Sequence, residues 1–571
     1  MVKRPGKQKQ KQTKIQTVVQ TVDPNQSKNP ENETYSYHTF LYTFFWNPGA
    51  DLSQIIKRLN QRWLVDYVKK GQDFSQLKED KERLEDLKDK VQKYNEYHYF
   101  FEKARRMLLN TDSLDHDVMH WKMNLDHNCK TNTYEIQLAS SSETIILHLE
   151  GIKLSLYPKL SIGMLTIETE YRPSPNDPKK YENALIINDL GRRIFSPSYN
   201  PDGFSPCTAK EIDLCFTVGK SSEQEKIIFN LDWEFDKNKY NGWDGADHGI
   251  RNLLFGNQIN EQSNESHCIF AKKAQKEKVL VISPIFDDRM FTACILKDTQ
   301  WTQRFIEVLK KSDMQNGKDK HLFDEKRLYE YLFCDRYDYC SCQESDLRWQ
   351  MIREHVYSRW IDYGSVYGIT EYSMTFAATE TVPDYLIDNF LTIYIDLAKL
   401  VLLQRAAIIS LEARVAAYAA GDKIEKPIEI WRDYIYFQTS MMLPEASFQQ
   451  QGVEMYDMLW KCLQIQRYSD YLGNEIHSFS EHARFVNDKQ DEERDKRASH
   501  FSLIISIILA FSLFNDAYEG VRAIINANIK SFKDVFSHVP IVVAGILVVA
   551  IIILSLCVLI IGQNKKGRDK T

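Results

Sequence analysis

Several features that would assign a protein to a structural class are scarce in this sequence. Only 10 of the 571 residues are Cys, and they form no paired framework, so a disulfide scaffold is not expected. No fixed-period internal repeat is evident. No apolar signal segment follows Met1, where Lys and Gln dominate instead. These absences predict an intracellular chain whose thiols stay reduced.

A large excess of charge of one sign is also missing. The 73 Lys and Arg stand against 79 Asp and Glu, a net charge of −6, so no direct binding to nucleic acid is expected. The chain does have 43% hydrophobic and 12% aromatic residues. This content excludes a disordered or collagen-like chain and suffices for the cores of two or more domains.

The first part of the chain divides by composition and by hydrophobic pattern. Residues 1–32 are rich in Lys, Gln and Asn and predict a basic disordered tail. Residues 33–382 predict a cytoplasmic α/β domain with a mixed sheet, because strand-like segments between about residues 133 and 298 are separated by Gly, Pro and Asn clusters. Heptad-like apolar residues predict a long amphipathic helix over residues 75–110.

Residues 383–498 predict a long α-helical stalk. Pro383 opens a helix that closes on Gly421, and a further helix begins near Gln449 and leads directly into the next segment. The first helix is apolar enough to suggest a membrane span. Its regularly spaced charged residues argue against one, because each would cost ~2.5 kcal/mol or more at the middle of a bilayer.

Two apolar segments predict a C-terminal two-helix transmembrane hairpin over residues 499–562. Residues 539–561 carry no charge and would form a helix about 34 Å long, enough to cross a bilayer core of ~30 Å. Residues 499–518 would form the shorter and more polar span, and residues 563–571 would form a basic cytoplasmic tail. The positive-inside rule then places both termini in the cytoplasm, as in a multi-pass protein of the cell's inner membrane.

The first span carries a polar stripe at helical spacing, which Leu residues continue toward its end. One interpretation is an inner ring of first spans that lines a pore, surrounded by a lipid-facing ring of second spans. The alternative is that small hydroxyl residues only permit close helix packing in lipid. The predicted pore-lining residues are Ser499, Ser502, Ser506, Leu509, Leu513 and Asn515.

Three segments are similar to segments of known proteins. Glu445–Tyr456 looks like the start of the stalk helix in divergent CorA-like proteins, while Asn188–Arg193 and Arg359–Ser373 are more weakly similar to the extended domain of CorA-like proteins encoded beside type III CRISPR systems. Together with the order of elements over residues 384–571, these segments resemble the CorA family of divalent-cation transporters and channels.

The resemblance implies a homo-oligomeric membrane channel, pentameric as in the transporters, that is not an enzyme and holds no covalent cofactor. For the CRISPR-linked branch it implies an antiviral effector. Such an effector is opened by a nucleotide second messenger, either adenylylated S-adenosylmethionine or cyclic oligoadenylate, that binds the cytoplasmic sensing domain. The alternative is a magnesium or other divalent-cation transporter that is gated by the ion itself, with Mg²⁺ as the bound ligand.

One departure from the family bears on this alternative. The transporters carry Gly-Met-Asn at the outer end of the first span, whereas this sequence has Leu513-Phe514-Asn515 and retains only the Asn. Such a filter works through the water shell of Mg²⁺. The substitution of Gly and Met is therefore expected to alter ion selectivity.

The two segments that resemble the CRISPR-linked proteins supply the candidate ligand-binding residues. Aromatic faces stack adenine, Arg pairs phosphate bidentately, and Gly allows the backbone to approach a ligand closely. The alternative is that the aromatic side chains are core or intersubunit packing and that the arginines form a solvated or salt-bridged turn. The candidates are Asn188, Arg192, Arg193, Arg359, Trp360, Tyr363, Tyr367, Tyr372 and Ser373.

A histidine pair raises the possibility of zinc chemistry but does not predict a metal site. His116 and His120 have the i, i+4 spacing of a zinc hydrolase, near His127 and Cys129. Asp117 replaces the usual Glu and is one methylene shorter. Surface histidines, or buried ones with hydrogen-bond partners, are the simpler interpretation.

A cysteine group also lacks a recognisable metal pattern. Its C-x5-C-x-C spacing matches neither paired zinc knuckles nor a redox C-x-x-C pair. Free buried thiols are therefore expected at Cys334, Cys340 and Cys342.

Overall fold

A computed structural model gives the fold of the chain. It describes residues 34–479, together with residues 481 and 519, but leaves out the internal ranges 47–51, 61, 67–97, 110–117, 127–130, 140–142, 195–208, 219–223, 231–248, 251, 256–281, 287–288, 312–321 and 421–426. The chain divides into two compact units, residues 1–475 and residues 476–571. The sheet and the helices that pack on it belong to the first unit.

Thirteen described strands form one sheet. Their bounds are β1 (Ser36–Trp46), β2 (Trp63–Val65), β3 (Met119–Met123), β4 (Thr133–Gln137), β5 (Thr144–Tyr157), β6 (Ile162–Tyr171), β7 (Glu211–Phe216), β8 (Glu225–Asn230), β9 (Ile282–Pro284), β10 (Phe291–Lys297), β11 (Val356–Tyr357), β12 (Ser365–Ile369) and β13 (Ser373–Ala378).

The sheet is mixed, as the sequence predicts for this part of the chain. The strand order is β11-β12-β13-β10-β1-β6-β5-β4-β7-β8, with β9 paired to β1, β3 to β5 and β2 to β3. Strands β10 and β13 run parallel, and the other described pairs are antiparallel. Most neighbouring strands therefore need no crossover helix, which leaves the helices free to cover the faces.

The alternation of buried residues along β5 shows how the sequence specifies the sheet. Ile145, Leu147 and Leu149 are buried at a spacing of two, and the buried set then resumes at Ile152. A register shift between Leu149 and Gly151 separates the two sets. The extra residue of this bulge keeps both apolar sets on the same face of one long strand.

The described helices connect and cover these strands. Their bounds are α1 (Leu52–Leu59), α2 (Glu102–Leu108), α3 (Lys180–Leu190), α4 (Thr299–Lys311), α5 (Leu322–Phe333), α6 (Ser345–His355), α7 (Asp384–Asn389), α8 (Ile395–Ala419), α9 (Pro427–Tyr436) and α10 (Gln450–Cys462), followed by α11 at residues 465–479. The π-helical turn Phe390–Tyr394 joins α7 to α8, and a second one, Phe437–Met441, follows α9.

Helices lie on both faces of the sheet. Helix α3 packs on β1 and β10, and α4 and α5 pack near β12 and β13, whereas α8 packs on β1 and β6 and α10 packs on β12. Two adjacent residues of β12 show which helices lie on each face. The ring of Tyr367 lies 6.2 Å from that of Phe390, while a Cβ on Gly368 would lie 2.2 Å from Cδ2 of Leu332 in α5. Successive strand residues point to opposite faces, so these helices enclose the sheet.

The predicted fold class is corrected in its membrane part. Helix α8, the longest of the described α-helices at 25 residues, is buried against the sheet and carries charged residues that include Asp396, Lys399 and Arg405, which a bilayer core would not accept. Within the described ranges, no helix is both long and apolar enough to cross a membrane. The predicted transmembrane hairpin and the predicted multi-pass inner-membrane localisation are therefore not supported.

Several sequence-based predictions fall outside the described residues. These are the basic tails at residues 1–32 and 563–571, the segments 499–518 and 539–561, and all six predicted pore-lining residues from Ser499 to Asn515. The amphipathic helix predicted over residues 75–110 is described only from residue 98 onward, where α2 ends at Leu108.

Candidate ligand-binding site

Four arginines converge at one edge of the sheet, where α3 and α5 end and where β10 and β13 begin. Arg192 and Arg193 follow α3, Arg336 follows α5, and Arg289 precedes β10. The parallel strands β10 and β13 start side by side there. We refer to Arg192, Arg193, Arg289 and Arg336 as the arginine cluster.

The turn after α3 is fixed by close packing around Gly191. A Cβ at this position would lie 2.6 Å from the carbonyl oxygen of Ile187 and 2.9 Å from Cδ1 of Ile136. The hydroxyl of Tyr134 donates a hydrogen bond of 2.6 Å to the carbonyl oxygen of Gly191. The φ angle of Gly191 is an ordinary −66°, so close approach of its neighbours is what requires glycine here. The two arginines that follow are thereby held in place.

One carboxylate serves three of the arginines. Asp189 Oδ1 lies 3.7 Å from Nη2 of Arg192 and 3.5 Å from Nη2 of Arg193. Its Oδ2 lies 2.8 Å from Nε of Arg336. Asp189 is only 8% exposed, so these ion pairs are shielded from solvent. Asp189 thus pairs with three of the four arginines.

The fourth arginine joins the cluster through the backbone. Arg193 and Arg289 form an isolated antiparallel bridge, which places their two like-charged side chains on the same side. The guanidinium carbon of Arg289 lies 3.8 Å from the centroid of the Tyr372 ring, and that of Arg336 lies 4.3 Å from the centroid of Tyr339. Aromatic faces attract such cations and lie beside them in the cluster.

Arg192 is the most deeply buried member of the cluster. Its side chain is 3% exposed, and its Nη2 donates a hydrogen bond of 3.2 Å to the carbonyl oxygen of Cys334. Its Nε and Nη1 have no hydrogen-bond partner among the described residues. Buried charged N–H groups are costly without acceptors. An anion that offers several oxygen atoms would supply them.

The loop after α5 holds Arg336 in position. Two of its residues, Cys334 and Asp338, have positive φ angles of 57° and 62°. The Oδ2 of Asp335 accepts a hydrogen bond of 2.7 Å from the backbone N–H of Ser341. Burial raises the pKa of the Asp335 carboxyl, and the hydrogen bonds from Ser341 oppose this shift. The loop is thus closed upon itself at the side of the cluster.

Asn188, near the end of α3, is held in place by a hydrogen-bonded pair of residues on β1. Its Oδ1 lies 2.8 Å from Nδ1 of His38, whose Nε2 lies 2.8 Å from the hydroxyl of Ser36. Burial lowers the pKa of His38 to about 4, although the bond to Asn188 acts in the other direction. The imidazole is therefore neutral at pH 7, with Nδ1 donating to Asn188 and Nε2 accepting from Ser36. Asn188 anchors the end of α3 to β1.

Three of the remaining sequence-based candidates lie away from the arginine cluster. Arg359 forms an ion pair of 2.6 Å with Glu454, and the Trp360 ring lies 5.4 Å from that of Tyr367. Tyr363 is 54% exposed. Arg359, Trp360 and Tyr363 precede β12, whereas the cluster lies beyond its far end, ~16 Å along the strand at ~3.3 Å per residue. These candidates do not join the arginines.

Tyr372 and Ser373 lie on the side of the cluster. Tyr372 contacts Arg289, but the Ser373 hydroxyl is turned inward and donates a bond of 2.6 Å to the carbonyl oxygen of Leu332. The sequence-based candidates did not include Arg289, Arg336 or the carboxylate Asp189. No local pattern singles out Arg289 and Arg336, because only the fold brings them to the turn after α3.

Metal chemistry finds no support in the described part of the chain. No group of three or more His, Cys, Asp or Glu side chains there could hold a metal ion. His120 lies on β3 rather than on a helix, and its Nδ1 is 2.7 Å from the hydroxyl of Ser155; His116 lies outside the described residues. Burial raises the pKa of the Cys334 thiol to about 11.

The three predicted thiols are free and buried, as expected: Cys334, Cys340 and Cys342.

Comparison of the chain with protein-family models, with curated proteins and with solved structures found no match. The chemistry of the site therefore rests on its own geometry. Guanidinium groups beside tyrosine rings can bind an anion that carries an aromatic group.

Proposed function

We propose that this protein is a receptor for a phosphate-bearing adenine nucleotide, which binds at the arginine cluster. The resemblance to CRISPR-linked CorA-like proteins suggests a second messenger, adenylylated S-adenosylmethionine or cyclic oligoadenylate. The observation that carries the proposal is the buried guanidinium of Arg192, which keeps two nitrogens, Nε and Nη1, without acceptors among the described residues at the point where four arginines meet.

The less deeply buried members of the cluster are suited to the first contact with such a ligand. Arg193 and Arg336 have side chains that are 12% and 17% exposed, and Arg289 and Tyr372 are half-buried. Phosphate oxygens accept paired hydrogen bonds from guanidinium groups, and a nucleobase stacks on an aromatic ring or on a guanidinium plane. Both kinds of partner lie side by side here.

The proposal concerns recognition of the ligand and the response that follows from it. The role in type III CRISPR antiviral defence, the homo-oligomeric state and the lack of enzymatic activity stay predictions. The channel activity implied by the resemblance requires the membrane hairpin that is corrected above, so it is not part of the proposal. The divalent-cation alternative is not carried further, because no described feature favours it.

Isothermal titration calorimetry with the purified full-length chain tests the proposal. The probes are adenosine monophosphate, adenylylated S-adenosylmethionine and cyclic oligoadenylates of defined ring size. We expect at least one of the latter two to bind. Arg193→Gln and Arg289→Gln should each weaken that binding about 10- to 100-fold, because a hydrogen bond to a charged group contributes about 1.5 to 3 kcal/mol.

Arg359→Gln is the matched control. This variant also removes a partly exposed arginine that the sequence predicts as a ligand-binding residue. The guanidinium of Arg359, however, pairs with Glu454 away from the cluster. The affinity of the variant should equal that of the wild type. Absence of binding by all probes to the folded wild type would contradict the proposal. So would a loss of affinity in Arg359→Gln with none in the two cluster variants.

A further inference from the structure

The turn between β12 and β13 is a stiff connection. The backbone N–H of Thr370 donates a bond of 2.8 Å to the carbonyl oxygen of Ser373. Their hydroxyl oxygens lie 2.6 Å apart. The backbone N–H of Tyr372 donates a bond of 3.2 Å to the hydroxyl of Thr370. Because three hydrogen bonds join these four residues, we expect a displacement of Tyr372 to move the whole turn.

One side of this turn faces the arginine cluster. The Tyr372 ring lies under the guanidinium of Arg289 at 3.8 Å. The carbonyl oxygen of Tyr372 accepts a bond of 3.0 Å from the backbone N–H of Thr292 at the start of β10. A ligand that repositions Arg289 therefore acts directly on Tyr372.

The residue before this turn contacts a C-terminal helix of the same compact unit. The carbonyl oxygen of Ile369, which precedes the turn, accepts a bond of 3.3 Å from the thiol of Cys462, the last residue of α10. Burial raises the pKa of Cys462 to about 11, so the thiol keeps the proton that it donates.

Helix α8 contacts α11 through Arg405. Burial lowers the pKa of the Arg405 guanidinium in α8, while Tyr468, Glu412 and Glu371 act in the opposite direction. The guanidinium carbon of Arg405 lies 3.2 Å from the centroid of the Tyr468 ring, which belongs to α11. The residue before the turn is thus bonded to α10 through Cys462, and α11 is held against α8 by Arg405.

Helices α10 and α11 meet at a break that lies between Cys462 and Tyr468. The last residue of α10 is Cys462, and Gln464 takes a left-handed backbone conformation with a φ of 51°. Such a conformation costs roughly 1 to 3 kcal/mol for a residue other than glycine. Its contacts must hold it, and a small shift at either neighbour changes those contacts.

We infer that ligand binding at the arginine cluster is coupled, through the turn Thr370–Ser373, to the break between α10 and α11. This inference rests on the proposed function, because it names how occupation of the site is transmitted. A ligand shifts this equilibrium only if it binds one arrangement of the turn better than the other. The coupling is reciprocal, so a change at the break alters the ligand affinity by the same factor.

Amide hydrogen exchange of the full-length chain, with and without the adenylate probe that binds best, tests the coupling. Exchange over residues 450–475 should change by at least threefold on binding in the wild type. Cys462→Ala removes the thiol that donates to the carbonyl oxygen of Ile369, the direct contact between the residue before the turn and α10. This variant should lose most of the change while still binding the probe.

Cys215→Ala is the matched control, because Cys215 is also a free thiol but lies on β7, far from β12 and β13 in the strand order. It should keep the wild-type exchange response. Calorimetry on the same samples measures binding of the probe separately from the exchange response. A probe that binds at the cluster without changing exchange over residues 450–475 overturns the coupling and leaves the receptor intact. An equal loss of response in Cys462→Ala and Cys215→Ala also overturns it. Absence of binding overturns both.

Discussion

Arg192 donates a hydrogen bond of 3.2 Å to the carbonyl oxygen of Cys334, although 142 positions separate the two residues in the chain. This bond joins the ends of α3 and α5, and it uses one of the three nitrogens of the guanidinium. The other two are buried without a partner among the described residues. A side chain that served only to join the helices would not need them.

Arg192→Met separates ligand binding from stability. Asp189 keeps its ion pairs with Arg193 and Arg336 in this variant, so no buried carboxylate is left alone. Replacement of a buried ion by an apolar side chain of similar length is then neutral or stabilising. We expect an unchanged or higher free energy of unfolding in urea, together with a loss of affinity of about tenfold or more.

Arg348→Met provides the contrasting control. Arg348 is also fully buried, but its Nε donates to Glu325 at 2.8 Å and its Nη1 donates to the carbonyl oxygen of Cys342 at 2.9 Å. Loss of these bonds should lower the free energy of unfolding by about 3 to 5 kcal/mol. If Arg192→Met showed a similar loss of stability, Arg192 would be a structural residue.

Gly191→Ala should destabilise the protein through steric overlap. The added Cβ would lie 2.6 Å from the carbonyl oxygen of Ile187 and 2.9 Å from Cδ1 of Ile136. Overpacking of this kind costs about 1 to 3 kcal/mol, which urea unfolding measures. Gly473→Ala is the control, since its Cβ would meet only the Tyr434 hydroxyl, at 3.2 Å. An equal loss in both variants would contradict the packing argument.

The sequence predicts the scaffold of this site better than the site itself. Apolar alternation indicates the sheet, and Pro383 marks the start of the helix that continues into α8. The strand-like segments on either side of Gly151 look separate in the sequence because the bulge reverses the order of alternation. Patterns of local period thus identify elements, but a single extra residue hides their continuity.

Which residues form the site depends on long-range contacts, and no local sequence pattern reveals these. Arg192 and Arg193 are visible as a charged turn, whereas Arg289 and Arg336 reach them only through the pairing of β10 with β13 and through the loop after α5. Trp360 and Tyr367 illustrate the converse. Their aromatic density suggests a ligand pocket, yet they pack between the sheet and the helices. Residue type alone does not separate a stacking platform from a core.

Glu330 should make the stability of the fold depend on pH. Burial raises the pKa of its carboxyl to about 7, even though Arg327 pulls it downward. The unfolded chain ionises this group near 4.5, so between the two values the folded state binds more protons. Stability therefore falls as the pH rises from about 4.5 to about 7. Urea unfolding across this window should show the fall in the wild type and its reduction in Glu330→Gln.

The free energy difference between the wild type and Glu330→Gln should level off above about pH 7. A difference that did not vary with pH would contradict the assignment. Glu344→Gln offers a control of opposite sign, because hydrogen bonds from the backbone N–H groups of Leu347 and Asp346 lower the pKa of Glu344. Its contribution is complete above the ordinary carboxyl range and is lost as the pH falls below it.

Tyr367→Phe should stabilise the protein without affecting ligand binding. The Tyr367 ring stacks on Phe376 with centroids 4.2 Å apart, and it is fully buried on the face opposite α5. Its hydroxyl has no hydrogen-bond partner among the described residues, so its removal relieves a desolvation penalty of about 1 kcal/mol or more. Tyr367→Ala should instead cost about 3 to 5 kcal/mol, because it removes the ring from a packed core. Urea unfolding and calorimetry decide between packing and recognition: a Tyr367→Phe variant that unfolds like the wild type but binds the nucleotide more weakly would make this tyrosine part of the ligand site.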